Sequence, residues 1–457
     1  MMNRRQFAKS SLLSIPSAFM MSSLLHSCRK DFTDLNVKFK GKVIVIGAGI
    51  SGLHAAKFLR LHGCEVTHLE ASNRIGGRIL SHNGFADFPI ELGAEAVHGK
   101  RNILFDLATA KGFELRTSDK EDYFRLYNQT RRESDIEDNP NLSFLFQIID
   151  SFGSYSGLDN NVASYMERIG LDPFIKNIAE ALVGNEYGTN NERLSIRGIA
   201  VDDAQWTTGN DDYFFTQRSY GEFLNTVYQD EISKVLLDKA VTKINYENSV
   251  VVETADGETF TADRVLITVP ISILKSGMIE FVPPLPDSKN QALESMEMDT
   301  GMKIIMKFGE KFWPDDLSSL IGGSVIPEYW ITGVLRNSNE HLLTAFVMGE
   351  KAEQLAAMGN DAIHAVTAEL NQYFVTQAAS NNLQQFLIKN WMDEPFVQGA
   401  YSYIKAGQVN QRKAYAAPIT TKCFFGGEAA NYTGHPATVH GAMETGFDQA
   451  KLILETE

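Results

Sequence analysis

Lys42 to Arg78, KVIVIGAGISGLHAAKFLRLHGCEVTHLEASNRIGGR, is the stretch that decides the fold. Val43, Ile44, Val45 and Ile46 form a short apolar β-branched run, the pattern of a parallel strand buried on both faces. The chain turns at Gly47-Ala48-Gly49 into a helical pattern carried by Leu53, Ala56, Leu59 and Arg60 and stopped at Gly63. Glu65 to Leu69 then read as a second strand ending at Glu70, which completes one βαβ unit. Gly47, Gly49 and Gly52 give G-x-G-x-x-G at the strand-to-helix junction, where missing side chains let a pyrophosphate approach the unpaired N–H groups of the helix start. Glu70 lies eighteen residues beyond Gly52, close to the spacing of about 20 expected for a carboxylate that holds a ribose hydroxyl pair. Ile50 and Ser51 inside the motif, and Ala71 beside the acid, belong to the same expected site. A glycine triplet alone marks only a turn; strand, helix, second strand and acid in order make it a dinucleotide site.

Four positions past the acid comes Arg74-Ile75-Gly76-Gly77-Arg78. This run resembles the flavin amine oxidase family, in which R-x-G-G-R sits against the flavin and pyrophosphate; Arg74, Gly77 and Arg78 match it. The resemblance extends over nearly all of residues 41–455. It implies an α/β fold: a discontinuous Rossmann-like FAD-binding domain from residues 41–99, 218–286 and 399–457, and an α+β substrate domain from 100–217 and 287–398, built on a mixed sheet flanked by helices.

A chain of 457 residues is too long for one ordinary core, and its 44% hydrophobic and 22% charged content are those of a globular protein. The first 27 residues stand apart. Asn3-Arg4-Arg5-Gln6-Phe7-Ala8-Lys9 precedes a modestly apolar run from Leu12 to Leu25 broken by Pro16, which looks like a twin-arginine export signal. The run is shorter than the roughly 20 apolar residues of a membrane span. Leu25-His26-Ser27-Cys28 resembles a bacterial lipobox, so Cys28 is an expected lipid anchor, with His26 a poor fit, and residues 28–40 a tether. The expectation is a bacterial exported protein, periplasmic or anchored in the cell envelope as a lipoprotein.

Removing residues 1–27 takes away three positive charges and no negative ones, moving the formal charge from −15 to −18, which argues against nucleic acid as a partner. Beyond Cys28 only Cys64 and Cys423 remain, too few for a disulfide framework and without metal-ligand spacing, so no metal is expected.

Residues 100–217 lose strand alternation and gain helical stretches such as Ile103 to Lys111 and Val162 to Ile169, with acidic clusters at 133–138 and at Asp211-Asp212 that could steer a cation. Arg218 to Leu237 reads as a helix. Val250 to Glu253 and Thr259 to Ala262 read as a hairpin whose Asp256-Gly257 pair favours a type I′ turn. Arg264 to Pro270 is a buried strand ended by proline. Strands are expected at Lys303–Phe308 and Leu343–Val347, and helices at Asp361–Phe374 and Thr438–Leu454.

The chemistry rests on few residues. Lys303 lies on a strand face with Ile305 and opposite Ile304, and matches the family lysine that binds a water at the flavin N5. Trp391 and Tyr401, in WMDEPFVQGAY, match the aromatic pair near the flavin, a wall suited to an amine through its π face. His98 falls where polyamine oxidases often carry a histidine facing the substrate channel, although the tryptophan usual two residues earlier is Ala96. Thr438 stands where monoamine oxidases carry a second cage tyrosine. Its setting, Ala437-Thr438-Val439-His440-Gly441-Ala442, resembles the polyamine oxidase and lysine-specific histone demethylase branch. The resemblance also gives cofactor positions to Val241, Gly427, Glu428, Thr438 and Val439. Ala400 replaces the monoamine oxidase cysteine that bonds the flavin, so noncovalent FAD is implied.

The expected activity is therefore FAD-dependent oxidation of a polyamine or other primary or secondary amine to imine and aldehyde, with O2 reduced to H2O2. Two alternatives stay open: an L-amino acid oxidase, with Arg101, Arg197 and Arg336 as unassigned arginines, and a flavin-binding lipoprotein without turnover.

Overall fold

The computed structural model describes residues 35–374 and 376–457. The expected export signal and Cys28 therefore lie outside the described residues. The βαβ unit forms as strand Lys42–Ile46, helix Ile50–Leu61 and strand Glu65–Leu69, with Val43 to Ile46 buried because the strand is central in an all-parallel sheet. That sheet orders Val235–Leu236, Glu65–Leu69, Lys42–Ile46, Arg264–Ile267 and Cys423–Phe425. Three distant parts of the chain thus build one sheet, and the C-terminal helix Val439–Glu455 packs against the helix Ile50–Leu61.

A second, seven-stranded sheet is mixed. Its order is Leu383–Asn390, Gly301–Phe308, His341–Met348, Glu328–Ile331, Leu317–Ile321, Glu121–Leu126 and Gln129–Arg132, with only the 317–321 and 121–126 pair parallel. Helices Gly349–Met358 and Ala362–Tyr373 cover one face, where Met302, Ile304 and Met306 meet Leu355, Val366 and Leu370. Alternation turns Lys303 and Ile305 the other way, and Ile305 packs on Ile90 and Leu92. A helical block, including Pro140–Ser151, Val162–Arg168 and Ile196–Ala204, closes one side of this sheet with its own core.

Several expectations need correction. Residues 100–217 do contribute strands: Glu121–Leu126 and Gln129–Arg132 form a hairpin, and Asp212–Phe215 pairs with Val97–His98. Its two turn residues, Tyr127 and Asn128, both have positive φ of 48° and 62°, the type I′ geometry. The Asp256-Gly257 hairpin instead closes through three residues with only Gly257 left-handed (φ 85°), because Thr254 pairs with Glu258. The helix expected over 218–237 ends at Ile232, and Val235–Leu236 becomes the edge strand of the parallel sheet. The end of the expected tether is docked: Lys38 and Phe39 N–H groups both donate to the Leu454 carbonyl, and Leu35, Val37 and Phe39 pack on the core beneath.

Candidate active site

A cavity of about 1200 Å³ runs from the glycine turn to the uncovered face of the mixed sheet. It exceeds the roughly 300–1,000 Å³ of an ordinary small-molecule pocket, as a site for a dinucleotide plus a substrate must. Every residue expected in the site lines it except Gly52. Gly52 serves packing instead: a Cβ there would stand 1.9 Å from the Gly47 carbonyl.

The nucleotide end is built by backbone. Gly49 caps the helix Ile50–Leu61 without any side-chain bond, leaving first-turn N–H groups facing the cavity, and a Cβ on Gly49 would meet nothing within 4 Å. Buried His68 donates from Nε2 to the Gly47 carbonyl at 2.9 Å, and Thr268 Oγ1 donates to the Ile46 carbonyl at 2.8 Å, so the turn is held from below. Burial lowers the His68 imidazole to about 4, which keeps it neutral. Glu70 Oε2 accepts from the Ala48 N–H at 2.6 Å and Oε1 from the Ser72 N–H and hydroxyl at 2.9 and 2.7 Å. The carboxylate thus braces the loop as well as lining the cavity.

Arg74 Nη1 donates to the Gly77 carbonyl at 2.8 Å, and Arg78 Nη1 donates to the Ala400 carbonyl at 2.8 Å and to Glu428 Oε1 at 2.9 Å. Arg78 thereby joins three separated segments. Burial works to raise the Glu428 carboxyl, but Arg78, Arg412 and the Ser402 hydroxyl together hold it below its ordinary range. Val241, Ala71, Gly427 and Val439 complete this end. The open glycine turn, uncapped helix start and acid fit the diphosphate and ribose of FAD. Neither Cys64 nor Cys423 lines the cavity, and both are buried elsewhere, consistent with a noncovalent cofactor.

At the other end Lys303 is 5% exposed, with Nζ 2.8 Å from Glu95 Oε2, 3.1 Å from the Glu91 carbonyl and 5.0 Å from the Trp330 ring centre. It is therefore an ion-paired lysine, not a bare charge. Register places Lys303, Phe346 and Glu328 side by side on three adjacent strands, and all three line the cavity. Burial, with the charges of Glu186 and Asp122, pushes the Glu328 carboxyl well above its ordinary range. Trp391 is buried, with Nε1 donating to the Leu92 carbonyl at 3.0 Å, while the Tyr401 hydroxyl donates to the Glu186 carbonyl at 2.8 Å. His98 Nδ1 lies 2.8 Å from Asp212 Oδ1. The Thr438 hydroxyl is committed to structure: it accepts from the Gly441 N–H at 2.9 Å as the helix cap and donates to the His435 carbonyl at 2.8 Å.

The family profile described as flavin containing amine oxidoreductase matches residues 50–454. The chain belongs to the flavin-containing amine oxidoreductases. It is an FAD-dependent amine oxidase. The chain is similar to probable polyamine oxidase 4 of Arabidopsis thaliana, 27% identical over 444 residues covering 90% of this chain and 86% of that protein. It is similar also to human lysine-specific histone demethylase 2, 27% identical over 445 residues covering 90% of this chain and 53% of that one. Among solved structures, wild-type putrescine oxidase bound to putrescine has a TM-score of 0.78 at 20% identity, covering 90% of this chain and 98% of that one. Cyclohexylamine oxidase from Brevibacterium oxydans has a TM-score of 0.77 at 22% identity, covering 91% and 99%. At these identities the structures establish the shared fold.

None of Arg101, Arg197 and Arg336 lines the cavity of this amine oxidase; each donates to a backbone carbonyl elsewhere. The carboxylate-binding arginine that an L-amino acid oxidase needs is absent from those three positions. Sequence reasoning missed Glu95, Glu186 and Glu328. The signal for Glu328 was an acid two residues before Trp330 in an otherwise apolar strand; for Glu95 there was none, since its partner is 208 residues away. Of the acidic clusters, residues 133–138 lie off the cavity and Asp212 lies on it.

Proposed function

We propose that this oxidase acts on diamines or polyamines, holding the nitrogen to be oxidised near Lys303 and a second ammonium near Glu328. The cross-strand row Lys303, Phe346, Glu328 is the observation that carries this reading. Two strand spacings separate the ends of the row by about 9.5 Å, the scale of a short aliphatic chain with nitrogen at each end. The cations Arg74, Arg78 and Arg412 are held by acids or carbonyls, whereas Asp150, Glu186 and Asp203 also line the cavity, Glu186 near enough to act on the Glu328 carboxyl. These additional carboxylates favour a polycation.

FAD, when bound, supplies the two-electron acceptor for the C–N unit, whose imine product hydrolyses to aldehyde while O2 is reduced to H2O2. The protein's part is to bind and orient. Trp391 and Tyr401 offer aromatic surface to the reacting amine and keep water from it. Burial holds the Glu328 carboxyl well above its ordinary range; a second ammonium seated beside it supplies the counter-charge that lets it ionise, its proton leaving to solvent. Buried Lys303 keeps one fixed positive charge on the sheet face, positioned by Glu95.

Glu328→Gln keeps the shape and removes the ionisable group. Its kcat/KM for 1,4-diaminobutane should fall at least tenfold, about 1.4 kcal/mol, with butylamine unchanged. Equal effects on both amines, or on neither, would refute the second-ammonium subsite.

We also infer twin-arginine export with lipidation at Cys28, supported by Arg4-Arg5 ahead of a weakly apolar run and by a fold that completes around a cofactor. Replacing both arginines with lysine should strand the precursor in the cytoplasm. Unchanged export would defeat the first inference, and a mature N-terminus without lipid on Cys28 the second.

A further inference from the structure

We propose that His435, His440 and Glu444 form a binding site for one divalent metal ion of the zinc class. His435 lies in the loop ahead of the helix Val439–Glu455, and His440 and Glu444 are four residues apart on that helix, so they share one face. One ring nitrogen of each histidine and a carboxylate oxygen lie within 4.8 Å of one another. This is the one such cluster among the described residues. Two imidazoles and a carboxylate are the donor set of open zinc sites, which keep a position for water.

The details suit an ion. His435 Nδ1 already faces Glu444, at 2.8 Å from Oε2 and 3.1 Å from Oε1. Its Nε2 lies 3.2 Å from the Thr207 hydroxyl and accepts from the Thr207 N–H at 3.4 Å, so Thr207 fixes the orientation of the ring. Asn431 Nδ2 donates to Glu444 Oε2 at 3.0 Å and steadies the carboxylate. His440 is 1% exposed, and its Nε2 is buried with no hydrogen-bond partner, a state that native proteins rarely leave unexplained. Bond lengths of about 2.0–2.2 Å put tetrahedral donors roughly 3.3 Å apart, so donors spread over up to 4.8 Å need to close by an ångström or so, while the 2.8 Å His435–Glu444 contact opens slightly. The Glu444 side chain is a quarter exposed, which provides entry and room for water. A bound ion would pin the segment carrying Thr438 and Val439, the cavity wall at the nucleotide end.

FAD-loaded enzyme dialysed against chelator is titrated with Zn2+ by calorimetry while its flavin absorbance is followed. One equivalent should bind at micromolar concentration or tighter, and the melting temperature should rise with Zn2+. Glu444→Gln and His440→Gln should each weaken binding at least tenfold with flavin content unchanged, and zinc-edge X-ray absorption should report two imidazole ligands. No saturable binding of one equivalent to the wild type, or unchanged affinity in Glu444→Gln, overturns the proposal. Should His440→Gln fail to fold, the wild-type titration and Glu444→Gln, altered at a partly exposed side chain, carry the decision.

Discussion

Lys303→Met keeps the stem and removes the charge, and its two expected consequences can be separated. The first is structural. Lys303 is 5% exposed, and its loss strands the Glu95 carboxylate, whose side chain is 18% exposed, together with the Glu91 carbonyl. Breaking a fully buried pair costs about 3–5 kcal/mol. Glu95 retains some water, so about 2–4 kcal/mol is expected, most of it recovered when Glu95→Gln is added. The second is chemical: the sheet face of the cavity loses its lysine charge, and, on the proposed placing of the amine beside it, turnover should fall at least tenfold, about 1.4 kcal/mol. Urea unfolding of the two single variants and the double variant measures the coupling. Stopped-flow absorbance resolves flavin bleaching by amine from its recovery by O2. If Lys303→Met unfolds like the wild type, shows no coupling with Glu95→Gln and keeps both half-reaction rates, then the ion pair is incidental and the lysine plays no part in the site.

Gly52→Ala should sharply lower the flavin-to-protein ratio, because its Cβ would stand 1.9 Å from the Gly47 carbonyl and must displace the turn; full flavin content would contradict this. Acid precipitation should leave the yellow colour in solution, and colour in the pellet would reveal a covalent link. Glu180 is buried, which raises its carboxyl from 4.5 to about 7, so the folded state holds a proton that the unfolded chain releases near 4.5 and stability falls as pH rises through that window. Glu180→Gln should remove the decline and gain about 2–3 kcal/mol over the wild type at pH 8 relative to pH 5, by denaturant unfolding; parallel pH profiles would show that Glu180 ionises freely.

The nucleotide end was legible in the sequence because its determinants are local. Gly47, Gly49, Gly52, Glu70, Arg74 and Arg78 lie in one βαβ unit and the turn that follows it, and a turn that must admit a phosphate can be made by few residue types. Strand alternation also told which way Lys303 points, since Ile304 enters the helix-covered core and Ile305 the opposite face. The other end was legible only in part: Lys303, Trp391, Tyr401 and His98 were expected and line the cavity, but the acids that surround Lys303 were not. Lys303 meets Glu95 from 208 residues away, and Glu328 joins the same row only through strand register with Phe346. Register is set by how whole strands pack, not by any residue's own neighbours, so a lone acid in an apolar strand carries no address until the sheet is assembled. The same holds for the turns. Asp256-Gly257 carries the type I′ signature, yet the pairing of Thr254 with Glu258 makes a three-residue loop, while Tyr127-Asn128 adopts type I′ within a hairpin that the sequence pattern concealed. Local chemistry determined the glycine turn and its acid, and long-range packing decided which charges line the rest of the cavity.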